Sequence, residues 1–513
     1  MARRRQAQGN QRSYQREDIY RNFIFSIPRI TGINQTLAPN LIADDEFQEI
    51  WNFLPTAKGS VRKIRAPKLL VSTSAIPIKI ITHPLNGQYQ GLVAFNDGSV
   101  AKWDGATLTQ IANAGTLSTN PALFDWCVWQ NQKIYIVDYN TGYFKWDGSR
   151  FSQVSANIKG TCITVWQGRI FIGKDSQVTY SVALRPEDFV SSGSGYFDLA
   201  QSFPALKLKV KKIVPYVDSL LIYGDSAIMA LTGSTISNDP STWYLTQVTD
   251  TIGIGNANNC VPFGNEVWLQ NEKGLFRTTI SAQSKFDYKV DVKNKIQILN
   301  YQSCIANINN LQHYLLPARI ESPFRGVSQN ILAFCIDTGE FFFLDIGRDV
   351  YGLYWSYVEG IENRIYALCN DGIYALFEGD ELISGYLRSK KFDFGKPSLE
   401  KNFWIVMLPV YFGEGETKFQ LKVITDKGKK MASQVLLDYI KILFINQRNE
   451  TIVFTQGNLR IIFYLDPPDV LRTLIFLLGQ NGVWGEFVLQ ETSNASYELT
   501  SMHIRVQLGR DVF

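Results

Sequence analysis

GLVAFNDGSVAKWDGATLTQI (91–111) and KIYIVDYNTGYFKWDGSRFSQV (133–154) are two copies of one unit. Aligned on Lys-Trp-Asp-Gly they lie 43 residues apart, Trp103 to Trp146. That is the length of one four-stranded propeller blade, about 40–50 residues. Each copy runs from an apolar strand through an NDG or NTG turn into a second strand that ends on WDG. Asp-Gly suits a tight turn because glycine accepts positive φ without steric cost. A unit that cannot bury its own apolar face must stack against further copies, so one blade implies several. Trp103 and Trp146 are expected to pack between blades while Asp104 and Asp147 shape the turns.

Working outward, the same rhythm recurs at 162–189, 213–234, 265–280, 330–347 and 362–380, with insertions near 190–205 and 281–330. This predicts an all-β fold with a propeller of six to seven blades over 76–385. Past 385 the strands lengthen and alternate, joined by GEGE and DKGK turns. Residues 386–513 are expected to form a C-terminal β-sandwich. Ahead of the propeller, 25–75 form an extended lead-in that packs along it or lends a strand to close the ring. Within the lead-in, DDEFQEIWNF (44–53) places Phe47, Ile50, Trp51 and Leu54 at helical spacing, which predicts one short helix.

The charge is uneven. The net charge is +4, and residues 1–21 hold six arginines against Glu17 and Asp18, so the rest of the chain is formally neutral. Residues 1–24 are a basic N-terminal arm, suited either to phosphate backbones and acidic surfaces or to solubility alone. Its candidate contact residues are Arg3, Arg4, Arg5 and Arg12. A second candidate is LKLKVKKI (206–213), where period two puts Lys207, Lys209 and Lys211 on one face and Leu208 and Val210 on the other. Such a row would attract passing DNA phosphates, or protect an edge strand from pairing.

Chemistry is sparse. Asp97, Asp138, Asp225, Asp337 and Asp371 all sit in or beside turns, where Asp bonds its own backbone. His83, His313 and His503 are scattered, and the six cysteines show no CxxC and no metal spacing. No catalytic, cofactor or metal residue is expected, and the cysteines are expected to be free thiols. No run reaches the 18 or so apolar residues of a membrane span, and the basic start lacks the apolar stretch of a secretory signal.

Four segments taken in order resemble the packaged-DNA stabilisation, or tail hub, proteins of short-tailed bacteriophages, relatives of the tail nozzle. They are ITGINQTLAPNLIADDEFQEIWNF with KGSVRKIRAPKLL; VTYSVALRPEDF (178–189); TQVTDTIGIGNANNCVPFGNEVWLQNEKGLF (246–276); and KKFDFGKPSLEKNF (390–403). The likeness spans 25–410. It implies a structural virion protein, assembled in the host bacterial cytoplasm into a hexameric tail ring. Such a ring forms the DNA exit channel, helps retain packaged DNA and contacts genomic DNA transiently, without reading its sequence. Its implied partners are portal and adaptor rings, tail fibres or spikes, and a plug or needle. The alternative is a receptor- or glycan-binding fibre head built on the same propeller.

Overall fold

The structure, a computed structural model, describes residues 22–511 except 207, 217, 235–238, 293, 359–361, 415–416, 437–439, 443, 446–450, 453, 457–458, 462 and 466–469; within 436–470 it describes backbone pairing alone. The described residues are almost entirely strands. Six four-stranded antiparallel sheets stand separately: blade 1 (77–112), blade 2 (124–155), blade 3 (162–198), blade 4 (210–249), blade 5 (261–285) and blade 7 (350–379). A further meander over 304–344, blade 6, lies between blades 5 and 7 and runs on into the sandwich.

The WDG units take the positions the sequence predicts. Trp103 and Trp146 each end the third strand of a blade and are fully buried. Asp104 Oδ1 accepts the backbone N–H of Ala106 and Thr107, and Asp147 Oδ1 those of Ser149 and Arg150. Gly105 and Gly148 follow at φ +98° and +95°, where a side chain would be strained.

Blade 7 is completed from the front of the chain. Strand Ala66–Ser72 pairs antiparallel with Gly372–Gly379 and supplies the outer strand, so the ring closes on residues separated by the whole propeller. The rest of the lead-in departs from expectation, because it belongs to the sandwich. Asn22–Ile27, Phe53–Pro55 and Val61–Lys63 lie in one sheet with Leu399–Glu414, Val470–Gly482, Ser496–Leu499 and Met502–Asp511. The facing sheet holds Glu46–Trp51, Ile383–Phe392, Gly485–Ser493, Thr417–Thr425 and Gly428–Leu436.

The predicted helix over 44–53 is therefore a correction: Glu46–Trp51 is a strand. It pairs with Ile383–Phe392 through a register shift between Phe47 and Glu49, and that bulge buries Phe47, Ile50 and Trp51 at a spacing that mimics a helix. Trp51 also pairs in parallel with Phe343 of blade 6. One eleven-stranded sheet thereby welds propeller to sandwich, and the largest core runs unbroken from the sandwich through blade 6 to blade 7.

Candidate functional site

Of the sequence-predicted contacts, Arg3, Arg4, Arg5, Arg12 and Lys207 lie outside the described residues. The strand expected over 206–213 begins only at Val210, after a 3-10 turn at Pro204–Leu206. Leu208 is buried against Gly224, and the Lys209 N–H is tied to Asp225 Oδ1 at 3.1 Å. Lys209 is exposed and Lys211 half-buried, without a shared strand face. The reason is a register shift between Val210 and Lys212.

The bulge brings Lys212 inward instead. Its Nζ reaches Asp125 Oδ2 at 2.5 Å, while Lys79 Nζ lies 3.1 Å from Asp125 Oδ1 and donates to the Phe124 carbonyl at 2.9 Å. Lys79, Asp125 and Lys212 stand on the first strands of blades 1, 2 and 4. Blades 2 and 4 are not neighbours in the strand order, so the cluster ties first strands together on the inner side of the ring. Burial opposes the charge on Asp125, but the two ammonium groups outweigh it and hold the carboxyl below its ordinary value. Burial pushes Lys79 down despite Asp125, and Lys212 across the cluster adds to the fall. Lys212 moves the other way, with Asp125 overcoming its burial. Nothing in the period-two reading of 206–213 pointed to Lys212, because the bulge is invisible to it.

The second feature is the outer face of the sandwich. In strand Val470–Gly482, Leu474, Phe476 and Leu478 point into the core, while Leu471, Ile475 and Leu477 are 50%, 47% and 64% exposed. The neighbouring strand Leu399–Glu414 sets Tyr411, Pro409, Met407 and Ile405 opposite Leu471, Thr473, Ile475 and Leu477. Opposed residues of an antiparallel pair share a face. Farther across, Arg505 and Ile24 continue the row from Ile405, and Ile24 is 58% exposed. The result is a largely apolar outer surface.

The resembling segments hold the fold together. In Ser181–Phe189 the loop of blade 3 clasps blade 2: Glu187 accepts from Tyr135 and Lys145, the Pro186 carbonyl accepts from Tyr143, and Phe189 meets the Tyr143 ring edge-on. In Asp393–Lys401, Asp393 accepts the Gly395 N–H, and the buried Lys401 ammonium donates to the carbonyls of Lys396, Leu399 and Val483. Burial lowers the Lys401 pKa, with Asp393 and Asp426 recovering only part.

Among the described residues no group of three or more His, Cys, Asp or Glu could hold a metal ion. All six cysteines are free, and all but Cys127 are buried. Burial raises the thiols of Cys162 and Cys260 to about 12, far from a nucleophile's range. No helix among the described residues is long and apolar enough to cross a membrane.

No family model and no curated protein matches this chain. Among solved structures it is similar to BBS1N in complex with ARL6DN, at 9% identity and a TM-score of 0.41, over 61% of this chain and 96% of that one. The extracellular domain of the one-component system BT4673 from B. thetaiotaomicron aligns at 10% identity and 0.44; there the match takes in 76% of this chain and 47% of that one. YCF48 from Cyanidioschyzon merolae aligns at 12% and 0.39, over 61% and 98%. Likeness at this level says nothing of function.

Proposed function

We propose that this chain is a structural subunit of the tail hub of a short-tailed bacteriophage, a non-enzymatic ring component that bounds a DNA exit channel and docks other tail proteins. The observation that carries the reading is the outer face of the sandwich. A strand apolar on both sides belongs in a structure covered on both sides, and an exposed apolar sheet face of this extent marks a contact with protein. The covering partner in this reading is a second copy of the chain, and repeated head-to-tail contacts close into a ring.

The charged cluster inside the ring supports the same picture. Lys79, Asp125 and Lys212 bridge the first strands of blades 1, 2 and 4, and in this reading DNA does not pass through a single subunit. A conduit would lie between subunits, touching phosphates without reading bases. Six copies, a position below portal and adaptor rings, fibres or spikes, and a plug or needle come with the resemblance of the four ordered segments.

Mass photometry of the full chain, alone and with virion tails, tests the reading. Six-fold rings, or six copies per tail, are expected. Ile475→Asp with Leu477→Asp should return rings to monomers without unfolding them, since both side chains face solvent in one subunit. A chain that stays monomeric and occurs singly or as a trimer on virions overturns the ring and favours the fibre-head reading.

A further inference from the structure

Residues Leu299–Ser303 cross the end of the propeller where the first strands of blades 6, 7 and 1 begin, and they are pinned from three sides. From the 3-10 turn that precedes blade 5, Asn259 Nδ2 donates to the Leu299 carbonyl at 2.9 Å, and Asn259 Oδ1 accepts from Ser303 Oγ at 2.6 Å. The Gln302 carboxamide bonds the backbone of Ile80 in both directions, at 2.9 and 2.8 Å. The N–H of Leu353 in blade 7 donates to the Gln302 carbonyl at 2.7 Å. Leu299, Asn300 and Tyr301 of this pinned segment line a cavity of about 460 Å³, within the range of about 300–1,000 Å³ typical of small-molecule sites.

Two features of its walls define the ligand. Tyr301 and Tyr351 form an edge-to-face pair with centroids 5.3 Å apart and offer aromatic surface, with Pro121 beside them. Three carboxamides, Asn96, Asn120 and Asn300, supply the polar groups. Asn96 Oδ1 accepts the N–H of Ile76 and Asn120 Oδ1 that of Ala122, each at 3.0 Å. Backbone donors fix which end of each amide is oxygen. Asn300 accepts from Asn258 Nδ2 through both its carbonyl and Oδ1, at 3.4 Å. Each oxygen is thus engaged within the chain, and among the described residues no acceptor takes the Nδ2 of these three.

Among the described residues no Lys, Arg, Asp or Glu lines the cavity. An anion there would be desolvated with no cation to offset the cost, and Asp349 lies close enough to Tyr351 to help raise its pKa, after burial. We infer that this cavity binds a neutral saccharide, whose hydroxyl and carbonyl oxygens accept from the asparagine amides while its C–H faces lie on the tyrosines. The inference stands apart from the ring reading, since it concerns one propeller.

Saturation-transfer NMR on the full chain, with chitobiose, lactose and maltose as probes, tests it. Transfer to at least one probe is expected. Asn96→Asp and Asn120→Asp keep the in-chain acceptor and replace the free donor by a charged acceptor oxygen, so each should weaken binding by about tenfold, at least one hydrogen bond's worth. The melting curve should not move. Tyr301→Ala should weaken binding at least as much. Silence from all three probes overturns the inference, as does affinity indifferent to these substitutions or displacement of the probe by inorganic sulfate.

Discussion

The propeller and the sandwich bury charge in different ways. In the sandwich, Lys63 of one sheet meets Glu491 of the other at 2.7 Å, and neither side chain is more than 1% exposed. The pair is balanced and fully engaged: Lys63 Nζ also donates to the Ser493 carbonyl, and Glu491 Oε2 accepts from Thr417 and Ser493. In the propeller two ammonium groups share the single carboxylate of Asp125, so the cluster keeps a surplus positive charge. A balanced pair serves to register two sheets. The unbalanced cluster joins strands from three blades at the cost of a repulsion that only Asp125 holds in check.

The sharpest break is therefore Asp125→Ala. Removing one member of a buried pair costs about 3–5 kcal/mol, and here two ammonium groups lose their shared counter-charge at once, which places the loss at the top of that range. Hydrogen exchange should show the first strands of blades 1, 2 and 4 losing protection together. Protection unchanged there would mean that the cluster contributes nothing to holding these strands. In the sandwich, Glu491→Gln should fall in the lower half of the same range, because the amide oxygen still accepts from Lys63. Pairing it with Lys63→Met should recover most of that loss, since an apolar pair of similar volume replaces a buried ion pair at little cost. A double variant as unstable as the single one would show that Glu491 acts through Thr417 and Ser493 rather than through Lys63.

Between the two regions, blade 6 buries a titratable group whose nearby carboxylate, Asp337, is too weak to offset its burial. His313 is fully buried, its Nδ1 bonds the Leu311 carbonyl, and its Nε2 has no hydrogen-bond partner among the described residues. Burial lowers its pKa to about 4, against 6.5 in the open chain. The unfolded chain then binds the extra proton between those values, so stability falls as pH drops from about 6.5 to 4, by at most about 3 kcal/mol. Denaturation midpoints at pH 7 and 4.5 measure it, and His313→Gln should flatten this part of the slope. A slope unaltered by the substitution would assign it to carboxylates instead.

How much of this was legible in the sequence follows from which forces are local. Trp103 and Trp146 were readable because turn chemistry and blade period both sit inside a short window of residues. The closing strand was readable only as one of two options, since pairing of Ala66–Ser72 with Gly372–Gly379 spans the chain. Phe47, Ile50 and Trp51 misled because a bulge gave a strand the burial spacing of a helix. The lysines at 206–213 misled for a related reason: one extra residue moved the inward position to Lys212. Lys401 lies in the resembling segment 390–403, yet its work with three carbonyls depends on Val483, 82 residues away. The cavity asparagines carry no local signal, because their meaning lies in which end of each amide is already engaged.

The finest test of the comparison is Lys212→Met, which converts the propeller's cluster into a one-to-one pair like that of the sandwich. Lys212 is the most accessible member, with 22% of its side chain exposed against 5% for each partner, so its removal strands no fully buried group. Asp125 keeps Lys79 at 3.1 Å, and Lys79 loses a repelling neighbour that now helps depress its pKa after burial. The lost attraction and the relieved repulsion oppose each other, so the net change should stay within about 1 kcal/mol. The clearer readout is alkaline. Lys212, with its raised pKa, binds a proton in the folded state above the unfolded value of 10.5 and contributes stability that is lost as pH rises through its folded pKa. The variant should lose that decline, leaving Lys79, whose lowered pKa makes stability rise with pH up to about 10.5. A variant as damaging as Asp125→Ala would mean that the surplus lysine, and not the carboxylate, organises the cluster.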